Sequence, residues 1–132
     1  EELKRLAKGD KRIIFTGALY GDKKIEAFSN ARFFILPSTI EGMPIVLLEA
    51  MSFGLCPLVS DIEENLEVIG NLGFSFKSRD EDDLKKQLTF IISNPKKAKK
   101  QGKLCQQLVK EKYQWNSIAK QTYKIYEDVL NE

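Results

Sequence analysis

The sequence contains no histidine in 132 residues. That absence removes the commonest general base and the commonest metal ligand near neutral pH. Cysteine is scarce: Cys56 and Cys105 are the only two, without zinc-ligand or CxxC spacing. Both stand among apolar residues, which predicts reduced core thiols of a cytosolic protein and not a disulfide. No apolar run is long enough to cross a bilayer, and no stretch reads as a signal peptide. The expected location is therefore cytoplasmic, at most at the inner face of the membrane. Neither sign of charge prevails, with 21 basic against 19 acidic residues and a net charge of +2. Such a balance does not imply nucleic acid as a partner. No internal repeat is visible. A G-x-G-x-x-G fingerprint is also missing, since Gly17-Ala18-Leu19-Tyr20-Gly21 does not provide it. This argues against a nicotinamide-dependent oxidoreductase.

Apolar residues make up 42% of the chain, enough for one core, and the length fits a single domain over 1–132. The coarse order is helix, strand, helix, strand, helix, strand, helix, strand, then three helices. Strands alternating with helices predict an α/β fold on a parallel sheet. Asp22 can cap a short helix carrying Ile25 and Phe28. Asp61 with Glu64 resembles a capping box, opening a helix with Leu66 and Ile69. Asp80 or Asp82 can start a helix whose Leu84, Leu88, Ile91 and Ile92 keep helical spacing, and Asn94-Pro95 breaks it. The next helix puts Ala98, Leu104, Cys105, Leu108 and Val109 on one face. The last does the same with Ile118, Ile125, Val129 and Leu130. Lys96, Lys97, Lys99, Lys100 and Lys103 read as a solvated helix face in preference to a contact with an anionic membrane surface. Trp115, Tyr123 and Tyr126 read as packing residues in preference to a sugar platform.

The most informative stretch is Ser38-Thr39-Ile40-Glu41-Gly42-Met43-Pro44-Ile45-Val46-Leu47-Leu48-Glu49-Ala50-Met51. It follows the apolar run Ala31-Arg32-Phe33-Phe34-Ile35-Leu36-Pro37, which reads as a strand buried on both faces. Gly42 permits a turn, and Pro44 suits the first helical position. From Pro44 to Phe53 nearly every residue is apolar, so the helix is expected to be buried nearly all round. Gly54 supplies a C′ stop. A helix start preceded by such a loop is a natural anion seat, and the amides of Met43, Ile45 and Val46 can face a diphosphate. Pro44 cannot donate. Glu49 is the anomaly: a carboxylate about 7.5 Å of rise inside an oily helix, tilted back towards the loop. Burying it is costly unless it is paired. Physics leaves two readings open, one in which vicinal hydroxyls satisfy its oxygens and one in which it caps a loop or pairs with a lysine. Glu41, in the loop before the helix, lies near where a bound anion would sit.

Glu41 and Glu49, with seven residues between them, the Glu-Gly before an apolar helix, and Glu-Ala-Met followed by Gly54 together resemble the retaining GT-B glycosyltransferases of family 4, group 1. The resemblance extends through Ile13-Ile14-Phe15-Thr16-Gly17, Leu58-Val59-Ser60-Asp61, Asn65-Leu66-Glu67-Val68-Ile69, Gly73-Phe74-Ser75-Phe76 and Tyr113-Gln114-Trp115-Asn116-Ser117-Ile118-Ala119. It covers nearly the whole chain in the family's order. It implies a partial Rossmann-like sheet of about four parallel strands flanked by helices, with further helices at the C-terminal end. It implies that Glu49 holds the ribose hydroxyls of a nucleotide-diphosphate sugar and that Glu41 contacts the donor sugar near its reacting face. Gly17 and Leu19 would lie near the base, the amides of Met43, Ile45 and Val46 would bind the diphosphate, and Ser38 and Gly42 would be further donor-binding positions. The resemblance implies no catalytic metal and no cofactor beyond the nucleotide sugar itself. The implied reaction is hexosyl transfer with retention, in polysaccharide, lipopolysaccharide or glycoconjugate synthesis.

Several positions depart from the family pattern. Glu63-Glu64 replace a usual Gly-Gly and are expected to face solvent. Cys56 stands where proline is usual, and Pro57 is expected at a strand's first residue. The family's nucleotide-binding domain begins with two further strand–helix units, which bring an arginine and a lysine that clamp the donor phosphates. Nothing here matches them, and Lys11 and Arg12 lie at the wrong place. The resemblance therefore implies the C-terminal part of a longer enzyme, a truncated relative or an excised piece, inactive by itself and lacking an acceptor domain. A non-catalytic nucleotide-sugar-binding or interaction module is the alternative. In the strand order 3-2-1-4-5-6 the Ile13 strand is third and the Phe33 strand fourth, normally separated by the missing strands. A dimer or swapped assembly through an exposed sheet edge is the expected remedy.

Overall fold

The computed structural model describes residues 2–131. Two compact units divide the chain after Asn30. In the smaller, α1 (Glu2–Leu6) and α2 (Gly21–Asn30) are joined by a segment with neither helix nor strand. Arg12 folds onto Asp10 there, donating from its backbone N–H at 3.0 Å, from Nε at 2.9 Å and from Nη2 at 2.6 Å. These bonds hold the Asp10 carboxyl below its usual range. The strand expected at Ile13–Phe15 does not form, and the three residues are exposed. An extended segment becomes a strand only when a neighbour takes its N–H and C=O groups. The ladders among the described residues join three other strands. Asp22 lies inside the first turn of α2 and is not its cap.

The larger unit carries the sheet. Strands β1 (Phe33–Leu36), β2 (Cys56–Ser60) and β3 (Phe74–Phe76) pair in parallel in the order β1-β2-β3, with Phe33 opposite Cys56 and Leu58 opposite Phe74. The α/β class and the parallel pairing are as expected; among the described residues the strands number three, not about four. Crossovers run through α3 (Ile45–Ser52) and α4 (Glu63–Ile69), and α5 (Glu81–Ser93), α6 (Pro95–Lys112) and α7 (Trp115–Leu130) follow.

Alternation along the strands divides the core into two layers. Phe34, Leu36 and Val59 pack with Leu47 and Met51 of α3, Val68 and Ile69 of α4, and Cys105 and Val109 of α6. Phe33, Ile35, Cys56, Leu58, Phe74 and Phe76 pack with Leu84, Leu88 and Ile91 of α5 and Ala98 of α6. Helix α6 thus contributes to both layers. It crosses at the origin of β2, where Gly102 lies so close that a β-carbon there would overlap the Gly54 carbonyl oxygen and stand 3.1 Å from the Cys56 nitrogen. Its glutamines secure the same end. Gln106 Nε2 donates to the Ser52 carbonyl at 2.8 Å, and Gln101 Oε1 accepts the Gly73 N–H at 3.3 Å. Both cysteines are buried free thiols, as their apolar context predicts.

Local signals hold in some places and fail in others. Asp80 caps α5, accepting the Asp83 N–H at 3.0 Å. Asn94 ends α5 and Pro95 opens α6. The capping box at Asp61 and Glu64 is absent. Ile62 is the N-cap of α4, and Asp61 Oδ1 instead accepts the Ser78 N–H at 2.7 Å, tying the loops after β2 and β3 together. Pro57 is the second residue of the central strand, not its first, and is buried. The ladder to β3 begins only at Leu58, so no N–H is required of it on that side. The face of α7 bearing Ile118, Ile125, Val129 and Leu130 is exposed, as are Trp115, Tyr123 and Tyr126, contrary to the packing expected of them. Helices α3, α4, α5 and α6 already supply the side chains that pack against both faces of the sheet. No described helix is long and apolar enough to cross a membrane.

Candidate functional site

Ligands of open parallel sheets bind beyond the carboxyl ends of the strands. Here the β1–α3 loop, residues 37–44, occupies that end and leads directly into α3. Ser38 and Glu41 are half-buried in it, whereas Gly42 and Met43 are exposed. Pro44 is buried and is the N-cap of α3, one place before the first helical position expected for it. With φ −75° and ψ 82° it offers no side-chain cap, so the first turn must be closed by backbone alone. The N–H groups of Leu47 and Leu48 both return to the Pro44 carbonyl, at 2.9 and 3.3 Å. The Ile45 N–H turns back to the Met43 carbonyl at 2.8 Å. Of the three amides considered for a diphosphate, Ile45 is therefore engaged internally, which leaves those of Met43 and Val46.

Helix α3 is less deeply set than its composition predicts. Leu47, Ala50 and Met51 are buried, Leu48 and Glu49 are half-buried, and Ile45 and Val46 are 50% and 38% exposed. One side faces the core and the other opens outward. Glu49 stands one turn after Ile45 on the outward flank, half in the protein. The helix stops as Gly54 predicts. Gly54, at φ +77°, donates to Met51 O at 2.9 Å, and Leu55 donates to Ala50 O at 3.3 Å, the pair of bonds of a Schellman motif.

The structure thus gathers Ser38, Glu41, Gly42, Met43, Ile45, Val46 and Glu49 on one loop and the helix it opens. Gly17, at φ +66°, and half-buried Leu19 belong to the smaller unit. Glu63 is exposed as expected, while Glu64 is half-buried. Two residues with no assigned role also serve this end of the sheet. Ser60, the last residue of β2, donates its hydroxyl to the Ser38 carbonyl, and Asn65 of α4 donates from Nδ2 to Ser60 Oγ at 3.0 Å. An asparagine beside Leu66, Val68 and Ile69 was the available signal.

A parallel α/β sheet whose carboxyl-end loop opens a helix lacking a side-chain cap, with acidic residues on either side of its start, is a Rossmann-like arrangement, and comparison with a solved structure matches it to a GT-B domain. The fold superposes on sucrose-phosphate synthase from Thermosynechococcus elongatus with a TM-score of 0.89, at 22% identity, over 98% of this chain and 33% of that one. The chain belongs to the glycosyl transferases group 1 family, whose sequence profile matches residues 1–115. It is 33% identical over 127 residues to a sulfoquinovosyl transferase of Arabidopsis thaliana, covering 90% of this chain and 24% of the relative. It is 32% identical over 108 residues to the Campylobacter jejuni N,N'-diacetylbacillosaminyl-diphospho-undecaprenol alpha-1,3-N-acetylgalactosaminyltransferase, covering 80% and 28%. The chain therefore spans about a quarter of the length of these relatives.

Proposed function

We propose that the chain is the donor-binding domain of a glycosyltransferase that moves a hexosyl group from a nucleotide-diphosphate sugar, with retention, in polysaccharide or glycoconjugate synthesis. The single observation that carries this reading is α3. It starts without a side-chain cap at the carboxyl end of the sheet, with half-buried Glu41 before it and half-buried Glu49 one turn within it. The positive end of the helix and the amides of Met43 and Val46 would face the diphosphate. Glu49 would accept the ribose hydroxyls, and Glu41 would contact the donor sugar. Donors fixed in place where the leaving diphosphate gains charge supply the main electrostatic contribution to such a transfer.

The acceptor would lie on a domain outside this chain, so the chain alone transfers no sugar. Glu49→Ala in the intact protein is expected to weaken donor binding at least about tenfold, since a charge-assisted hydrogen bond contributes about 1.5–3 kcal/mol. Glu41→Ala is expected to lower turnover more than donor affinity. Calorimetric titration with uridine, guanosine and adenosine diphosphate sugars, together with turnover, tests both. Wild-type behaviour of the two variants would remove the assignment.

A further inference from the structure

Among the described residues, the buried side-chain oxygen left without a hydrogen-bond partner is Asn65 Oδ1. Asn65 is 0% exposed, on the face of α4 that also buries Val68 and Ile69. An incompletely satisfied amide there costs stability, and an apolar residue of the same shape would remove that cost only by stripping the donor from buried Ser60. What an apolar residue cannot do is donate. Asn65 Nδ2 donates to both the carbonyl, at 3.3 Å, and the hydroxyl, at 3.0 Å, of Ser60. Ser60, 1% exposed, in turn donates its hydroxyl to the Ser38 carbonyl. Amide, hydroxyl and carbonyl form a directed chain from α4 through the end of β2 to the β1–α3 loop.

That loop has few other anchors. Thr39, Ile40, Gly42 and Met43 are exposed, and Pro44 is buried at its far end. Glu41 lies between the Ser38 tether and the Pro44 anchor. Glu49, by contrast, rides on a helix fastened by Leu47, Ala50 and Met51. We infer that Ser60 and Asn65 are positioning residues that fix Glu41 through Ser38, leaving Glu49 unaffected. The inference rests on the role proposed for Glu41.

The test uses Ser60→Ala, Ser60→Thr and Asn65→Leu. Backbone NMR order parameters of the chain itself are expected to fall below about 0.6 at residues 39–43 in Ser60→Ala and Asn65→Leu, with α3 and β2 unchanged. In the intact protein kcat should fall about tenfold to a hundredfold, as for a misplaced reacting group, while the donor KM stays within about twofold. Ser60→Thr keeps the hydroxyl and should restore both. Asn65→Leu strips a donor from buried Ser60 and is expected to melt lower than the parent, so the split between a fallen kcat and an unmoved KM, with rescue by Ser60→Thr, is what separates positioning from structural support. Unchanged order parameters and kcat in Ser60→Ala, beside a Glu41→Ala variant that has lost turnover, would overturn the tether alone. Full turnover in Glu41→Ala would overturn the site assignment and the tether with it.

Discussion

Gly73 and Pro57 are fitted to each other: a β-carbon added at Gly73 would lie 2.6 Å from Pro57 Cγ and 2.9 Å from the Pro57 carbonyl oxygen. Gly73 also holds φ at +68°, where side chains are disfavoured. The glycine closes over the side of the central strand where proline has no N–H, just before β3 begins. Gly73→Ala is therefore expected to cost about 2 kcal/mol or more, combining backbone strain with the overlap. Urea denaturation of parent and variant measures it. A loss below about 0.5 kcal/mol would show that the strands can part at this point without penalty.

Arg79 is the one non-glycine residue with positive φ among those described, at 64°. It sits in the short loop between the Ser78 N–H, which donates to Asp61, and the Asp80 cap of α5. A left-handed backbone costs an L-residue about 1–2 kcal/mol, and glycine gives back part of that gain as unfolded-chain entropy. Arg79→Gly should stabilise the fold by about 0.5–1 kcal/mol, read as a higher urea midpoint at constant slope. A lower midpoint would mean that the arginine side chain contributes more than its backbone loses.

The thiols give a pH signature. Burial, and then the neighbouring Cys105, pushes the Cys56 thiol up to about 12 from 9.0, and burial pushes Cys105 up to about 11. A folded-state value raised above the unfolded one favours the fold while the thiol stays protonated. That contribution is complete below pH 9 and is lost as pH climbs towards 11 and 12, because the unfolded chain ionises first. The stability difference between the parent and Cys56→Ala should stay flat up to about pH 9 and narrow above it. Denaturation series at stepped pH check the sign, and a difference that widened above pH 9 would contradict it.

What the sequence made legible was mostly local. Gly54 as a helix stop, Asp80 as a cap and Asn94-Pro95 as a break each act through bonds within a few residues, so spacing suffices to find them. Failures came where the outcome depends on distant partners. Ile13–Phe15 has strand composition but no ladder. Asp61 has the spacing of a capping box, yet its carboxylate is taken by Ser78. The composition of α3 says buried, but only its Leu47, Ala50 and Met51 side is. Gly102 is required by the approach of the Gly54 and Cys56 backbone, a contact between segments far apart in the chain. Of the candidate site residues, Glu49 was legible as a charge in an apolar helix and Glu41 through its pairing with Glu49. The Ser60–Asn65 chain was not, because it joins residues on three separate elements.

Because α6 places Ala98 in one apolar layer and Cys105 and Val109 in the other, the two halves of the core share a single keel. Undocking that helix exposes both at once. The larger unit is accordingly expected to lose its structure in one cooperative step, with the loops at the carboxyl ends of the strands tied into it through the Ser60–Ser38 and Asp61–Ser78 hydrogen bonds.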